Sequence, residues 1–251
     1  MSAVVVLAGW RARTLTAPGA LAAWTVGMAV LYGTGWQGGA VLAAFFISSS
    51  LISRVATTPP LMDPKGHRRD HWQVFANGAV AAAGATVATI EPDLGLWLVT
   101  ASLAAAASDT WATSVGSRSP VSPRLIWNQR VVPAGSNGGI TLLGTVGAVG
   151  GAMIVAGTGA VAAGRPMLLP IGTLIGFFGM VVDSTLGALL QGRFHCPSCQ
   201  VPSEWRIHRC GSATLQEGGL AWLNNDGVNF LATLVAAAAG WGTWRWLDSP
   251  G

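Results

Sequence analysis

The feature that most constrains this chain is a succession of apolar runs, each close to the length a helix needs to cross a bilayer. At 1.5 Å rise per residue a hydrocarbon core is spanned by about 17 to 25 apolar residues. Seven runs qualify: Gly19 to Gly35, Gly38 to Ser53, Val74 to Ile90, Leu94 to Val115, Gly138 to Val161, Met167 to Leu190 and Leu220 to Trp246. Only 10% of the residues are charged and 51% are hydrophobic, against roughly 25% charged in a soluble domain. The expectation is an all-α fold: a polytopic integral membrane helix bundle of about seven transmembrane helices, forming a single membrane domain over residues 1–251 and surrounded by membrane lipids. Met1 to Trp10 is too short to span and lacks the basic start and cleavage site of a signal peptide, so it reads as a short N-terminal helix. Alanine and glycine dominate the runs, as expected where close packing drives helix association in lipid.

Orientation follows from the basic residues. Arg11, Arg13, Arg54, Lys65, Arg68, Arg69, Arg118, Arg124, Arg130, Arg193, Arg206 and Arg209 fall in alternate connections, leaving Arg165 and Arg245 for the other side. By the positive-inside rule the first group is cytoplasmic, in an integral cell membrane protein whose active face is cytoplasmic. The net charge of +4 is thus membrane-flanking, which argues against nucleic acid as a partner. Any single arginine has topogenesis as its plain alternative role.

Three carboxylates interrupt or border the apolar runs: Asp109, Asp183 and Asp226. A charge in hydrocarbon is costly and marks a functional-site hypothesis by default. All three fall near the cytoplasmic ends of their runs, so they are expected to converge there on Mg2+, which takes one or two carboxylates and shares its remaining positions with water and phosphate. The alternative is that each caps a helix or bonds a neighbouring one. Gly135, Ser136, Asn137, Gly138 and Gly139 precede the fifth run, where free backbone N–H groups at a helix start would suit an anion. Arg124 and Arg130 in the same loop offer forked donors for phosphate. The lysine of a Walker motif is missing, and a close-packed turn is the alternative. Asn77, Asn225 and Asn229 lie near the starts of the third and seventh runs, where an unpaired amide is expensive; they are expected to bond a neighbouring helix or a ligand.

The loop 192–218 contains Cys196, Cys199, His208 and Cys210, all three cysteines of the chain. The spacing C-x2-C-x8-H-x-C suits a structural Zn2+ site, with His195 as a substitute ligand and reduced thiols as the alternative. The twelve tryptophans read mostly as interface anchors.

The strings TLTAPGALAAWTVG, FFISSSLISRV, RRDHWQVFANG, SDTWATSVG, VVPAGSNGGITLLG, DSTLGALLQ and WLNNDGVN, in that order, resemble the successive motifs of the domain of unknown function 92 family. That family takes in the eukaryotic transmembrane protein 19 and the plant phytyl-phosphate kinase. The resemblance covers Thr14 to Val235 and implies an integral membrane protein acting on phosphorylated prenyl alcohols. With the carboxylates, it leads to the expectation of a prenyl-phosphate kinase-like enzyme: Mg-dependent phosphoryl transfer from CTP or ATP to an isoprenoid monophosphate such as phytyl or geranylgeranyl phosphate. Two other readings stay open: an enzyme using prenyl diphosphates, either prenyltransferase or terpene cyclase, and a lipid-phosphate transporter.

Overall fold

The computed structural model describes residues 9–11, 13–57 and 68–247. Lys65 and most of the Met1 to Trp10 segment lie outside them. The described residues form a bundle of α1 (Ala17–Ile52), α2 (His71–Val87), α3 (Pro92–Gly116), α4 (Leu142–Ala163), α5 (Leu168–Leu189) and α6 (Asn225–Leu247), with a 3-10 turn Ser53–Val55 after α1.

The first two apolar runs are one continuous helical element broken at Gly35, whose backbone (φ 61, ψ −149) is non-helical. A residue with a Cβ rarely adopts that conformation. The break reverses the chain. A methyl added at Gly9 would sit 2.9 Å from Phe46 and 3.2 Å from Leu15, yet these two residues would be about 46 Å apart along a straight helix. The two arms of α1 therefore lie side by side.

Helix α3 packs against every other helix, and its stretch from Leu94 to Ser108 is buried on all faces. Small residues make this possible. Positions for a Cβ on Gly144, Gly147 and Gly151 of α4 lie 2.7 to 2.9 Å from the α3 carbonyls of Ala112, Trp111 and Ala107. On the other flank Gly176 and Gly179 of α5 approach Ala104 and Ala105 equally closely. Larger side chains would force these backbones apart, so the Ala/Gly content is what lets one helix serve as a central post.

Three helical segments combine the length and hydropathy to cross a membrane: Ala17–Val55, Leu142–Ala163 and Leu168–Leu189. Helix α3 is less apolar because it faces protein, where alanine, serine and threonine pack as well as leucine. Helix α2 has 17 residues, about 26 Å of rise.

The connections rich in basic residues gather at one end of the bundle, here termed the basic end. Thr57 bonds Ser117 through both its amide and its hydroxyl, Arg118 donates to the Val55 carbonyl, and Leu15 pairs with Arg69. At the opposite end Arg165 is paired with Asp93 and lies 4.8 Å from the Trp244 ring centroid.

The all-α expectation fails in the loops of the basic end. Strand β1 (Arg124–Leu125) pairs antiparallel with β2 (Gly139–Ile140). A second sheet has β3 (Arg193–Cys196) between β4 (Val201–Ser203) and β5 (Leu215–Gly218). Because Gly139 and Ile140 are used in β2, α4 starts at Leu142, with Thr141 as its N-cap, rather than at Gly138. Likewise α6 starts at Asn225 rather than Leu220.

Candidate functional site

Helical geometry locates the carboxylates. Gly179 of α5 meets both Ala105 of α3 and Ala236 of α6. Asp183 and Asp109 each stand four residues further toward the basic end, on the same faces as Gly179 and Ala105. They therefore emerge into one seam, about 6 Å beyond the contact. Helix α6 runs the other way, and Asp226 lies ten residues from Ala236, about 15 Å. Asp226 thus sits about 9 Å nearer the basic end than the other two, in the first turn of α6, where the helix dipole favours a carboxylate. By helical rise Asp109 and Asp183 come to one depth and Asp226 does not, because α6 enters the bundle about one and a half turns earlier; among the described residues the three aspartates do not form a set of donors within reach of one ion.

Asn229 falls between these levels, about one turn from Asp226. Thr233 of α6 donates to the Ala76 carbonyl of α2 at 3.4 Å, which brings Asn77 beside the same layer. The amide of Asn77 donates to the Gln73 carbonyl of its own helix at 2.8 Å. Asn224, not Asn225, caps α6, accepting from the Gly227 amide at 2.9 Å.

The basic end carries several buried polar atoms without a hydrogen-bond partner among the described residues: the hydroxyls of Ser49, Ser50 and Ser108, the His71 Nδ1, the Trp111 indole N–H and the Gln191 amide nitrogen. Ser108 is fully buried and Gln191 is 2% exposed. Buried groups of this kind are rare in native structures and each calls for an explanation. All six are at the basic end. Asn77, Asn229 and the aspartates are singled out by the sequence; Ser49, Ser50, Ser108 and Gln191 are not. The triple serine inside an apolar helix was the available signal.

The glycine turn docks onto this layer. A Cβ on Gly138, where φ is +73, would lie 2.4 Å from the Ser184 carbonyl and 2.4 Å from Ala188 of α5, so only glycine fits. Asn137 and the Gly138 amide flank Gly187, which also borders Gln191. The turn therefore abuts the α5 segment that carries Asp183. Its amides are less free than expected: Ser136 N–H donates to the Pro133 carbonyl and Gly139 N–H to the Ser136 carbonyl. The β1–β2 pairing takes the place of a helix start there. It also brings Arg124 and Arg130 close to the turn; both are exposed, and Arg124 donates to the Gln129 carbonyl at 2.9 Å.

A narrow, half-open apolar slot with a cavity volume of about 90 Å³ lies between the two arms of α1 and α2, below the range of about 300 to 1,000 Å³ common for small-molecule sites. Its walls are Val26, Leu31, Leu42, Phe45, Phe46 and neighbouring Ala/Gly positions, and Arg69, Gln73 and Asn77 are its polar lining. Arg69 lies 5.7 Å from the Phe45 ring centroid. Its guanidinium makes no hydrogen bond to a described residue, and dense surrounding protein lowers its pKa to about 10. It stays protonated at neutral pH and would gain by meeting an anion.

On the outer surface of the basic end, donor atoms of Cys196, Cys199, His208 and Cys210 all lie within 4.8 Å of one another. Hydrogen bonds from Ser212, with His208 next, hold the Cys210 thiol down to about 6. Sharing with Cys210 pushes Cys199 up to about 11. His195 stands outside the cluster.

The sequence has relatives. The family model described as integral membrane protein DUF92 matches residues 1–237. An uncharacterized membrane protein of Methanocaldococcus jannaschii is 30% identical, over 92% of this chain and 86% of its own. Protein PGR of Arabidopsis thaliana is 26% identical, over 94% of this chain and 91% of its own. An uncharacterized membrane protein of Synechocystis is 25% identical, over 86% and 77%. No solved structure matches the chain. With the family model spanning nearly its whole length, this chain belongs to the integral membrane protein DUF92 family.

Proposed function

We propose that this protein is a membrane phosphotransferase that extends an isoprenoid monophosphate, such as phytyl or geranylgeranyl phosphate, to the diphosphate at the expense of CTP or ATP. The observation that carries this reading is the apolar slot whose polar lining is Arg69, Gln73 and Asn77, at the end of the bundle that carries the half-buried carboxylates and buried hydroxyls without a partner among the described residues. A single long hydrocarbon chain with an anionic head matches both parts. In this reading the two arms of α1 are separate passes, seven helices cross the membrane, and the basic end faces the cytoplasm, where nucleotide is available.

The residues have distinct tasks. Arg69 holds the lipid phosphate, and Gln73 and Asn77 orient its oxygens. The Gly135 to Gly139 turn, with Arg124 and Arg130, contacts the nucleotide phosphates from the water side. Asp109 and Asp183 form a hard-oxygen donor set that fits Mg2+, with Asp226 and Asn225 reached through water or phosphate. Bound there, the metal would neutralise phosphate charge. An oxygen of the lipid phosphate forms the new bond to the γ-phosphorus, the bond from that phosphorus to the β-γ bridging oxygen breaks, and the nucleoside diphosphate leaves. The nucleophile is already anionic, so positioning and charge stabilisation dominate and no strong general base is needed.

The test is incubation of the purified protein in detergent with Mg2+, CTP or ATP, and a panel of prenyl alcohols, monophosphates and diphosphates, with mass analysis of all products. The expected result is nucleotide-dependent formation of prenyl diphosphate. Arg69→Ala should raise the KM for the monophosphate about 10- to 100-fold, the loss of a charge-assisted contact. Pyrophosphate release from a prenyl diphosphate without nucleotide would overturn the kinase assignment in favour of a carbocation-forming enzyme. Flux of unaltered lipid phosphate across sealed vesicles, with no product, would replace it with transport.

A further inference from the structure

We infer that Cys196, Cys199, His208 and Cys210 bind one zinc ion, and that this zinc couples the basic end of α5 to the start of α6. Neither half of the inference depends on the proposed reaction. The four donors come from two turns that face each other. The first follows β3: Gln200 N–H closes it on the Cys196 carbonyl at 2.9 Å. The second is closed by Gly211 N–H on the His208 carbonyl at 2.8 Å, and by His208 N–H on the Ser212 carbonyl at 2.9 Å. Ser198 and Ser212 join the turns through their hydroxyls, 2.7 Å apart.

The spacing of the donors fits tetrahedral zinc. With Zn–S bonds of about 2.3 Å, thiolates in a tetrahedron lie about 3.8 Å apart. Cys196 Sγ and Cys210 Sγ are separated by 3.6 Å, and His208 Nδ1 is 3.2 Å from Cys210 Sγ. The cysteines are not joined as disulfides. The proximity of Nδ1 assigns that nitrogen, rather than Nε2, as the ligand atom. Four protein ligands fill a tetrahedral set, so the site is structural and leaves no position for an attacking water.

The module needs such a staple. Its sheet has strands of three or four residues and a small buried interior that includes Phe194 and Cys196, too little to stabilise a free-standing unit. Its attachments explain what the metal would hold. Leu220 N–H donates to the Leu190 carbonyl at 2.8 Å and Gly192 N–H to the Leu223 carbonyl at 2.9 Å, and Arg206 reaches the Ala221 carbonyl at 3.3 Å. These bonds clamp the exit of α5, beyond Asp183, to the residues immediately before Asn225 and Asp226. Loss of zinc would free the clamp and let the start of α6 move relative to α5.

Metal analysis of wild-type protein, purified reduced and without chelator, is expected to give about one zinc per chain, released stoichiometrically when a mercurial titrates the thiols. Cobalt exchanged into the protein should show the intense visible bands of a tetrahedral site and thiolate-to-cobalt charge transfer. Cys199→Ser and His208→Gln should lose the metal, and His195→Gln should keep it. After mercurial release, amide exchange should accelerate at residues 190–192 and 220–227 while that of α3 stays protected. Wild-type protein that carries no zinc and takes up no cobalt would overturn the site. Zinc retained in both His208→Gln and Cys199→Ser would overturn the ligand set, and unchanged exchange on metal release would overturn the coupling.

Discussion

The two ends of the bundle are built on opposite plans. At the end away from the basic loops, polar groups find partners: Arg165 pairs with Asp93 and stacks on Trp244, and Trp97 meets Trp244 edge-on at 5.6 Å between ring centroids. Among the described residues the Trp97 indole N–H is the buried orphan there. At the basic end, buried hydroxyls, an imidazole nitrogen, an indole N–H and an amide lack partners among the described residues, and a protonated guanidinium lines an apolar slot. Leaving a buried polar group unsatisfied costs about 1 to 3 kcal/mol. Several such costs concentrated at one end of one bundle support the proposal that a polar ligand binds there.

The largest test of that contrast is Asp183→Asn. Asp183 shares its seam with Asp109, and the substitution keeps size while removing the charge. Turnover is expected to fall about a thousandfold or more, as when a charge-stabilising group is lost from a phosphoryl-transfer site. The thermal midpoint in detergent and the zinc content should stay near wild type, which separates lost chemistry from lost fold. Near-normal turnover in a folded Asp183→Asn protein would remove the carboxylate layer from the mechanism.

Hydropathy carried much of this architecture. The apolar runs became helices, and the basic residues marked one end, because lipid exposure and topogenesis act on composition directly. What composition could not carry was the reversal at Gly35, since a glycine within an apolar run is equally at home in a packed seam. Nor could it give the depth of Asp226, which depends on where α6 enters rather than on the residue. The serine triplet was visible in the sequence, but that Ser49 and Ser50 bury hydroxyls without a partner among the described residues emerges only from the packed bundle. Arg69 read as one topogenic charge among many, and only the walls of the slot distinguish it. The Cys/His cluster was legible because its members fall in two short turns of one loop, and the fold brings their donor atoms within 4.8 Å of one another.

A smaller effect sharpens the contrast at a single atom. Ser108 is fully buried, next to Asp109, and its hydroxyl has no partner among the described residues. If the hydroxyl serves a ligand, Ser108→Ala should leave stability unchanged or raise it by about 1 kcal/mol, because a desolvated orphan is removed. Turnover should fall several-fold at the same time. Thermal melts and steady-state kinetics on the same preparation read both. Lower stability with unaltered turnover would mean that the hydroxyl supports the fold, and the basic end would then resemble the other end more closely.

The smallest effect is expected from the opposite end. Arg165 and Asp93 are both substantially exposed, at 43% and 57%, and an exposed pair contributes about 0 to 1 kcal/mol. Arg165→Gln also removes the contact with Trp244, whose cation–π attraction at an exposed site adds about 0.5 to 1 kcal/mol. The melting temperature should therefore drop by a few degrees at most, and kcat and KM should match wild type, because the pair lies about 24 Å from Asp109 along α3. A large loss of turnover in stable Arg165→Gln protein would show that the two ends are coupled through the central helix. The paired end would then be part of the working machinery rather than its anchor.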